Sequence, residues 1–171
     1  MVVGLVAAVT LPAAPATAYQ APGPRWPGNT IRYHDTLPKS WNWSIRKAVR
    51  TWNTSGARIR FRKVERARAQ VIIGYGGLGN AAGLATIGQR PGAFVKVNRL
   101  MFKPLRPGLR VFAAQVLAHE FGHVLGLGHV QSDNCRLMST PLLTYCPKPP
   151  ESWLYDCAWL ATQARRGAGH P

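Results

Sequence analysis

Acidic side chains are scarce in this 171-residue chain. Six Asp and Glu stand against 22 Lys and Arg, giving a formal net charge of +16 and a sequence pI of about 11.1. So few carboxylates argue against a calcium-caging or acidic protein. Long hydrophobic runs are missing too. Beyond the extreme amino terminus the longest uncharged stretches, such as Ala69 to Gln89, are broken by glycines, and none reaches the apolar run of about 18 residues that a transmembrane helix needs. Cysteine is limited to Cys135, Cys146 and Cys157, so at most one internal disulfide forms and one thiol is left over. No internal repeat and no compositionally biased tract is visible, despite 17 Gly and 14 Pro. Apolar residues, by contrast, make up 46% and aromatics 9%. That is well above what a disordered basic tail carries, and the length suits one folded domain.

The first eighteen residues read as an export signal. Val2 to Val9 is an almost unbroken apolar run, Pro12 and Pro15 interrupt it, and Ala16-Thr17-Ala18 offers small residues for cleavage, although no Lys or Arg precedes the run. The expected organisation is a signal peptide over 1–18, a Pro-rich lead over 19–29 and one folded domain over 30–171, divided into an amino-terminal subdomain over 30–126 and a carboxy-terminal subdomain over 127–171. Export places the protein outside the cell, where an oxidising compartment permits a disulfide.

Thr30 to Tyr33 alternates apolar and polar residues and predicts a short first strand. Ser40 is placed to cap a helix in which Ile45, Ala48, Val49 and Trp52 share one face, with Arg46, Lys47 and Arg50 opposite and Gly56 at its end. Arg58 to Val64 alternates strictly, which turns Ile59 and Phe61 inward and sets three arginines on a solvated face. Ala69 to Tyr75 reads as a continuous apolar strand. Gly76 to Gly92 reads as a glycine-rich loop with an edge strand near Leu84 to Ile87, and Phe94 to Val97 as a further strand. Arg110 to Leu125 is apolar on most sides, as a helix buried on both flanks is, and Gly126 stops it. Trp153 to Arg166 predicts a final helix with Ser152 as cap. The fold class expected is α+β: a twisted mixed sheet of about five strands with two helices, followed by a small carboxy-terminal subdomain ending in a helix.

Chemistry concentrates at the end of the buried helix, in His119-Glu120-Phe121-Gly122-His123-Val124-Leu125-Gly126-Leu127-Gly128-His129. Histidines four apart on a helix stand nearly above one another, so both imidazoles reach one ion. Glu120 lies at the edge of the same face, within reach of a water on the metal without being a ligand. Gly126 permits a sharp turn at positive φ that returns His129 as a third nitrogen. Three histidines leave tetrahedral zinc one open position, which is the catalytic rather than the structural arrangement.

This run resembles the metzincin pattern of zinc proteases, with the Met-turn that follows it: Arg136-Leu137-Met138-Ser139 carries its methionine nine residues past His129. The likeness is closest to matrixin-like bacterial secreted peptidases and strongest from Val111 to Pro141. It implies a zincin-like fold with the active-site helix at the cleft, zinc ligands at His119, His123 and His129, Glu120 as general base, and Met138 as a hydrophobic floor under the metal. It also implies that Pro141, Leu142, Leu143 and Tyr145 line the pocket for the residue after the cleaved bond. Some family features are absent. Gly76 to Arg99 holds no His, Asp or Glu, so the additional structural zinc and calcium of animal matrixins have no ligands there and one zinc is expected. No cysteine precedes Cys135, so the zinc-blocking propeptide cysteine is lacking. Thr140 stands where astacins place a zinc-reaching tyrosine.

The expected activity is therefore a secreted zinc endopeptidase, a monomer acting on protein or peptide substrate. The competing reading is a non-catalytic, zinc-stabilised basic protein that binds anionic cell-surface polymers. The charge favours attraction to anionic cell-wall polymers, whereas no motif for specific nucleic-acid recognition accompanies it. For the cysteines, the expected disulfide is Cys135 with Cys146, which closes a small loop around Met138 and leaves Cys157 free. Pairings that involve Cys157 remain open, because spacing does not fix connectivity.

Overall fold

The computed structural model describes residues 23–129 and 137–139. Five strands form one sheet: β1 (Thr30–Asp35), β2 (Arg60–Lys63), β3 (Val71–Gly76), β4 (Gly83–Ala85) and β5 (Ala93–Asn98), in the spatial order β2-β1-β3-β5-β4. All neighbours are parallel except β4, which pairs antiparallel with β5. Three helices accompany the sheet: α1 (Asn42–Asn53), the single turn α2 (Arg99–Phe102) and α3 (Arg110–Val124). The architecture is thus α+β with a mixed five-stranded sheet, and no helix among the described residues is long and apolar enough to cross a membrane.

Alternation decides which side of the sheet is inner. Ile31 pairs with Phe61, Tyr33 with Val71 and Ile73 with Val95, and all six are buried, as period-two patterning requires. Against this face lie α1, through Ile45, Ala48 and Trp52, and α3, which is buried almost from end to end. Phe121 of α3 stacks on Phe61 with ring centroids 4.6 Å apart. The indole of Trp52 donates to the Ala118 carbonyl at 2.8 Å, and Ser44 Oγ donates to the Arg110 carbonyl at 2.8 Å, so both ends of α1 are bonded to α3. Buried polar groups need such partners to offset their desolvation.

Several predicted boundaries shift. Ser40 does not cap α1: Trp41 N donates to the Pro38 carbonyl at 2.9 Å, which winds Lys39–Trp41 into a 3-10 turn and leaves Ser40 exposed outside the helix. The cap position falls to Trp41, whose indole bonds the Tyr75 hydroxyl at 2.9 Å. Burial of a large side chain sets the start of the helix there, and not a capping hydroxyl. The edge strand is shorter than the expected Leu84 to Ile87, and Ile59 is only half-buried just before β2. Helix α2 adds a third helix to the two expected; it forms because Asn98 caps it, Oδ1 accepting from Leu100 N at 2.9 Å. The signal segment, Cys135, Cys146, Cys157, Pro141 to Tyr145 and the final helix lie outside the described residues.

Candidate metal centre

Three imidazoles converge at the carboxy end of α3. His119 and His123 sit one turn apart on the helix, which ends at Val124. Gly126, at φ +95°, then turns the chain through a conformation that side-chain-bearing residues rarely adopt, and His129 comes back over the helical pair. His129 Nε2 is 3.1 Å from Nε2 of His119 and 3.1 Å from Nε2 of His123.

The other ring nitrogens show why these atoms face one another. His119 Nδ1 donates to the Leu137 carbonyl at 2.6 Å and His123 Nδ1 donates to the Leu127 carbonyl at 2.8 Å. A carbonyl only accepts, so the proton of each neutral ring is on Nδ1, and Nε2 carries a lone pair. Two bare acceptor nitrogens facing the His129 ring nitrogen at this distance are what ligands around a cation present. Nitrogens held at roughly 2.0–2.1 Å by a tetrahedral ion stand about 3.3–3.4 Å apart, near the observed spacing. Carbonyl acceptors on the distal nitrogens are also what orients metal-binding histidines in general. The donor set therefore fits a metal ion, and the three residues together could hold one.

No family model matches this chain, and no curated protein matches it either.

Burial favours the uncharged forms of His119, His123 and Glu120. It pushes the His119 imidazole down to about 4, the neighbouring imidazoles adding to the effect against the Leu137 hydrogen bond. His123 is lowered for the same leading reason. Neutral imidazole is the form that ligates. Glu120, only 5% exposed, is pushed up to about 8 by burial, and its Oε2 has no hydrogen-bond partner among the described residues. A buried carboxylate without a donor is costly, whereas a positive charge nearby favours its ionised form.

The carboxylate rests against β4. A Cβ added to Gly83 would collide with Oε1 of Glu120 and stand 2.8 Å from its Cδ. β4 is in turn positioned by Asn98, whose Nδ2 donates to the carbonyls of Gly79 at 2.8 Å and Ala81 at 2.7 Å, while Asn98 N donates to the Ala82 carbonyl at 2.9 Å. Below the helix, Met138 is fully buried and its thioether lies against Gly122, so a side chain at Gly122 has no room. Beside the imidazoles opens a cavity of about 530 Å³. Its apolar side is formed by Leu84, Ile87, Met101, Phe112 and Val116, and its polar side by Glu120 and the histidines.

The end of α3 is tied down by a segment from the start of the described chain. The last carbonyls of a helix lack intrahelical donors, and here Trp26 Nε1 donates to Val124 O at 2.7 Å and Gly88 N to His123 O at 2.8 Å. Gly23 N donates to Gly126 O at 3.3 Å. Gly23, Gly88 and Gly126 meet backbone to backbone, and a Cβ on Gly23 would stand 2.8 Å from Gly88 N.

His119, Glu120, His123, His129 and Met138 are thus brought together. Pro141, Leu142, Leu143, Tyr145, Cys135 and Cys146 fall outside the described residues. Reading the sequence did not single out Trp26, Gly83, Asn98 or the carbonyls of Leu127 and Leu137. Of these only Asn98 left a signal, as a cap residue ahead of a short apolar stretch.

Proposed function

We propose that the protein is a zinc-dependent endopeptidase of the metzincin type, similar to matrixin-like secreted peptidases, with a zincin-like fold and export through its amino-terminal signal. The observation that carries the reading is one arrangement: three Nε2 atoms converging beside a buried carboxylate that none of them engages. His119, His123 and His129 would hold the ion. A zinc ion bound there supplies the positive charge that makes a water acidic near neutral pH and polarises a carbonyl.

The remaining work falls to this chain's own side chains. Glu120 lines the cavity next to the imidazoles, where it accepts the proton of the attacking water and returns it to the departing amine. β4 is the last strand of the sheet, so its outer edge offers backbone groups to an extended peptide by strand addition. The apolar side of the cavity, between Leu84 and Phe112, receives a side chain next to the scissile bond. Gly83 keeps the space that Glu120 occupies.

Glu120→Gln tests the reading. The purified variant should contain zinc as the parent does and lose hydrolysis of a peptide library by about 10²–10⁴-fold or more, the usual scale for removing a general base. A parent that binds zinc and cleaves nothing would instead favour the non-catalytic, zinc-stabilised protein.

A further inference from the structure

We propose that the outer face of the sheet at its β2 end binds a linear, non-nucleosidic phosphodiester polymer of the cell-wall kind, recognised by its repeated charge. This goes beyond the hydrolytic reading and does not depend on it. Sheets that are mainly parallel are normally covered on both faces. Here α1 and α3 lie against the inner row of Phe61, Ile31, Val71 and Val95, and the other row of β1 and β2 presents Thr30, Arg32, Arg60 and Arg62, all exposed. Thr30 is the register partner of Arg60 and Arg32 that of Arg62, so the side chains of each pair share the outer face.

The arginines form a connected group. Along β2, Arg60 and Arg62 are spaced by about 6.6 Å, and Arg32 lies about 4.8 Å across from Arg62. Arg58 precedes them, and Arg66 and Arg68 follow in a 3-10 turn. That turn is fixed against the same face: Arg32 Nε donates to the Arg68 carbonyl at 3.0 Å, and Arg32 N donates to Gln70 Oε1 at 3.0 Å. Carboxylates do little to neutralise the group. Asp35 is taken by Lys63 at 2.6 Å, Glu120 is buried in the metal centre, and Glu65 is the one other acid among the described residues. Guanidinium forks suit phosphate oxygens better than point charges do.

Charge alone would also attract nucleic acid, but binding of single strands gains much from aromatic platforms on which bases stack. Among the described residues no exposed aromatic stands beside these arginines. Phe94, on β5, is half-buried with Lys96 Nζ 4.8 Å above its ring. Among flexible single-stranded polymers the surface therefore favours one that offers phosphates and nothing to stack. It is also separate from the histidines, because Arg32, Arg60 and Arg62 point away from the face of the sheet on which α3 packs through Phe61 and Phe121.

Binding of poly(glycerol phosphate) and of a thymidine oligomer with the same number of phosphates, each followed across a salt series, tests the proposal. The protein should bind poly(glycerol phosphate) at least as tightly as the oligomer. The triple variant Arg58→Gln/Arg60→Gln/Arg62→Gln should bind it at least about tenfold more weakly and with a salt slope smaller by about 2–3, one unit per lost phosphate contact. A control with the same charge change elsewhere, Arg90→Gln/Arg99→Gln/Arg106→Gln, should stay near the parent. Glu120→Gln should bind like the parent, which separates this surface from the hydrolytic reading. Equal weakening by both triple variants, absence of binding, or clearly tighter binding of the oligomer would each overturn the proposal. Zinc content and melting temperature of the triple variant equal to the parent's show that it is folded.

Discussion

Gly83 and Glu120 are in contact across the cleft: the carboxylate of the helix residue fills the space where a side chain on the edge strand would be, with Cδ and Cγ both 2.8 Å from a Cβ built at Gly83. The strand that would receive a substrate and the base that would act on it are therefore set against each other directly. Gly83→Ala should displace Glu120 while leaving the three imidazoles in place. We expect zinc content unchanged and kcat/KM lower by about 10²-fold, the scale of an ångström-sized misplacement of a catalytic group. Steady-state kinetics beside metal analysis checks this, and a fully active Gly83→Ala would mean that the contact does not position Glu120.

One zinc per chain is expected, and its removal should cost stability as well as activity. A ligand that binds only the folded state stabilises it by about 4 kcal/mol when present at a thousand times its Kd, so chelation should lower the melting temperature and zinc should restore it. His129→Ala should weaken binding most simply, because it leaves the two helical imidazoles and their carbonyl partners intact. Calorimetric titration of the metal reads this out. Two tightly held zinc ions would contradict the ligand inventory of the Gly76 to Arg99 loop.

Trp26 is expected to support the centre from outside. Its indole bonds the carbonyl of Val124, next to His123, at 2.7 Å. Trp26→Phe keeps most of the ring and removes the donor, leaving a helix-end carbonyl without its partner, a loss of about 1–3 kcal/mol. Zinc affinity should fall with it, and peptide cleavage at saturating zinc should be largely retained. Unfolding curves with and without zinc distinguish this from a loss of stability alone.

Alkaline pH should destabilise the fold through Tyr33. Burial, followed by the nearby Asp35, raises its phenol from 10.0 to about 12. Between those two values the unfolded chain has lost the phenolic proton and the folded chain keeps it, so stability is whole below pH 10 and declines as pH rises toward 12. The loss is about 2–3 kcal/mol over that window. Tyr33→Phe should flatten this part of the profile in urea unfolding at successive pH values.

Much of the fold was readable from alternation and helical periodicity. Ile31, Tyr33 and Phe61 announce an inner face, and Ile45, Ala48 and Trp52 a helix stripe, because burial in a sheet or against a helix imposes those periods. The histidine spacing announced the centre for a similar reason: positions four apart on a helix must coincide in space. Other parts carry no residue-type signature. The carbonyls of Leu127 and Leu137 that orient two imidazoles are backbone atoms, which any residue could supply. Gly83 looks like any other glycine of a glycine-rich loop until Glu120 is seen beside it. Ser40 had the chemistry of a cap, but burying the Trp41 indole stabilises more than a capping hydroxyl does, and α1 begins where that burial requires.

The chain order of these parts has a consequence for biosynthesis. The five strands of the described residues lie between Thr30 and Asn98, ahead of His119, the first of the three converging histidines. A polypeptide that emerges amino end first thus has these five strands before it has any imidazole of the triad, and domains generally begin to fold during synthesis. Trp26 waits for an acceptor 98 residues further on. Capture of a metal ion by the triad would then be among the last events of maturation, and a chain truncated before Leu137 lacks the carbonyl that turns His119 toward its partners.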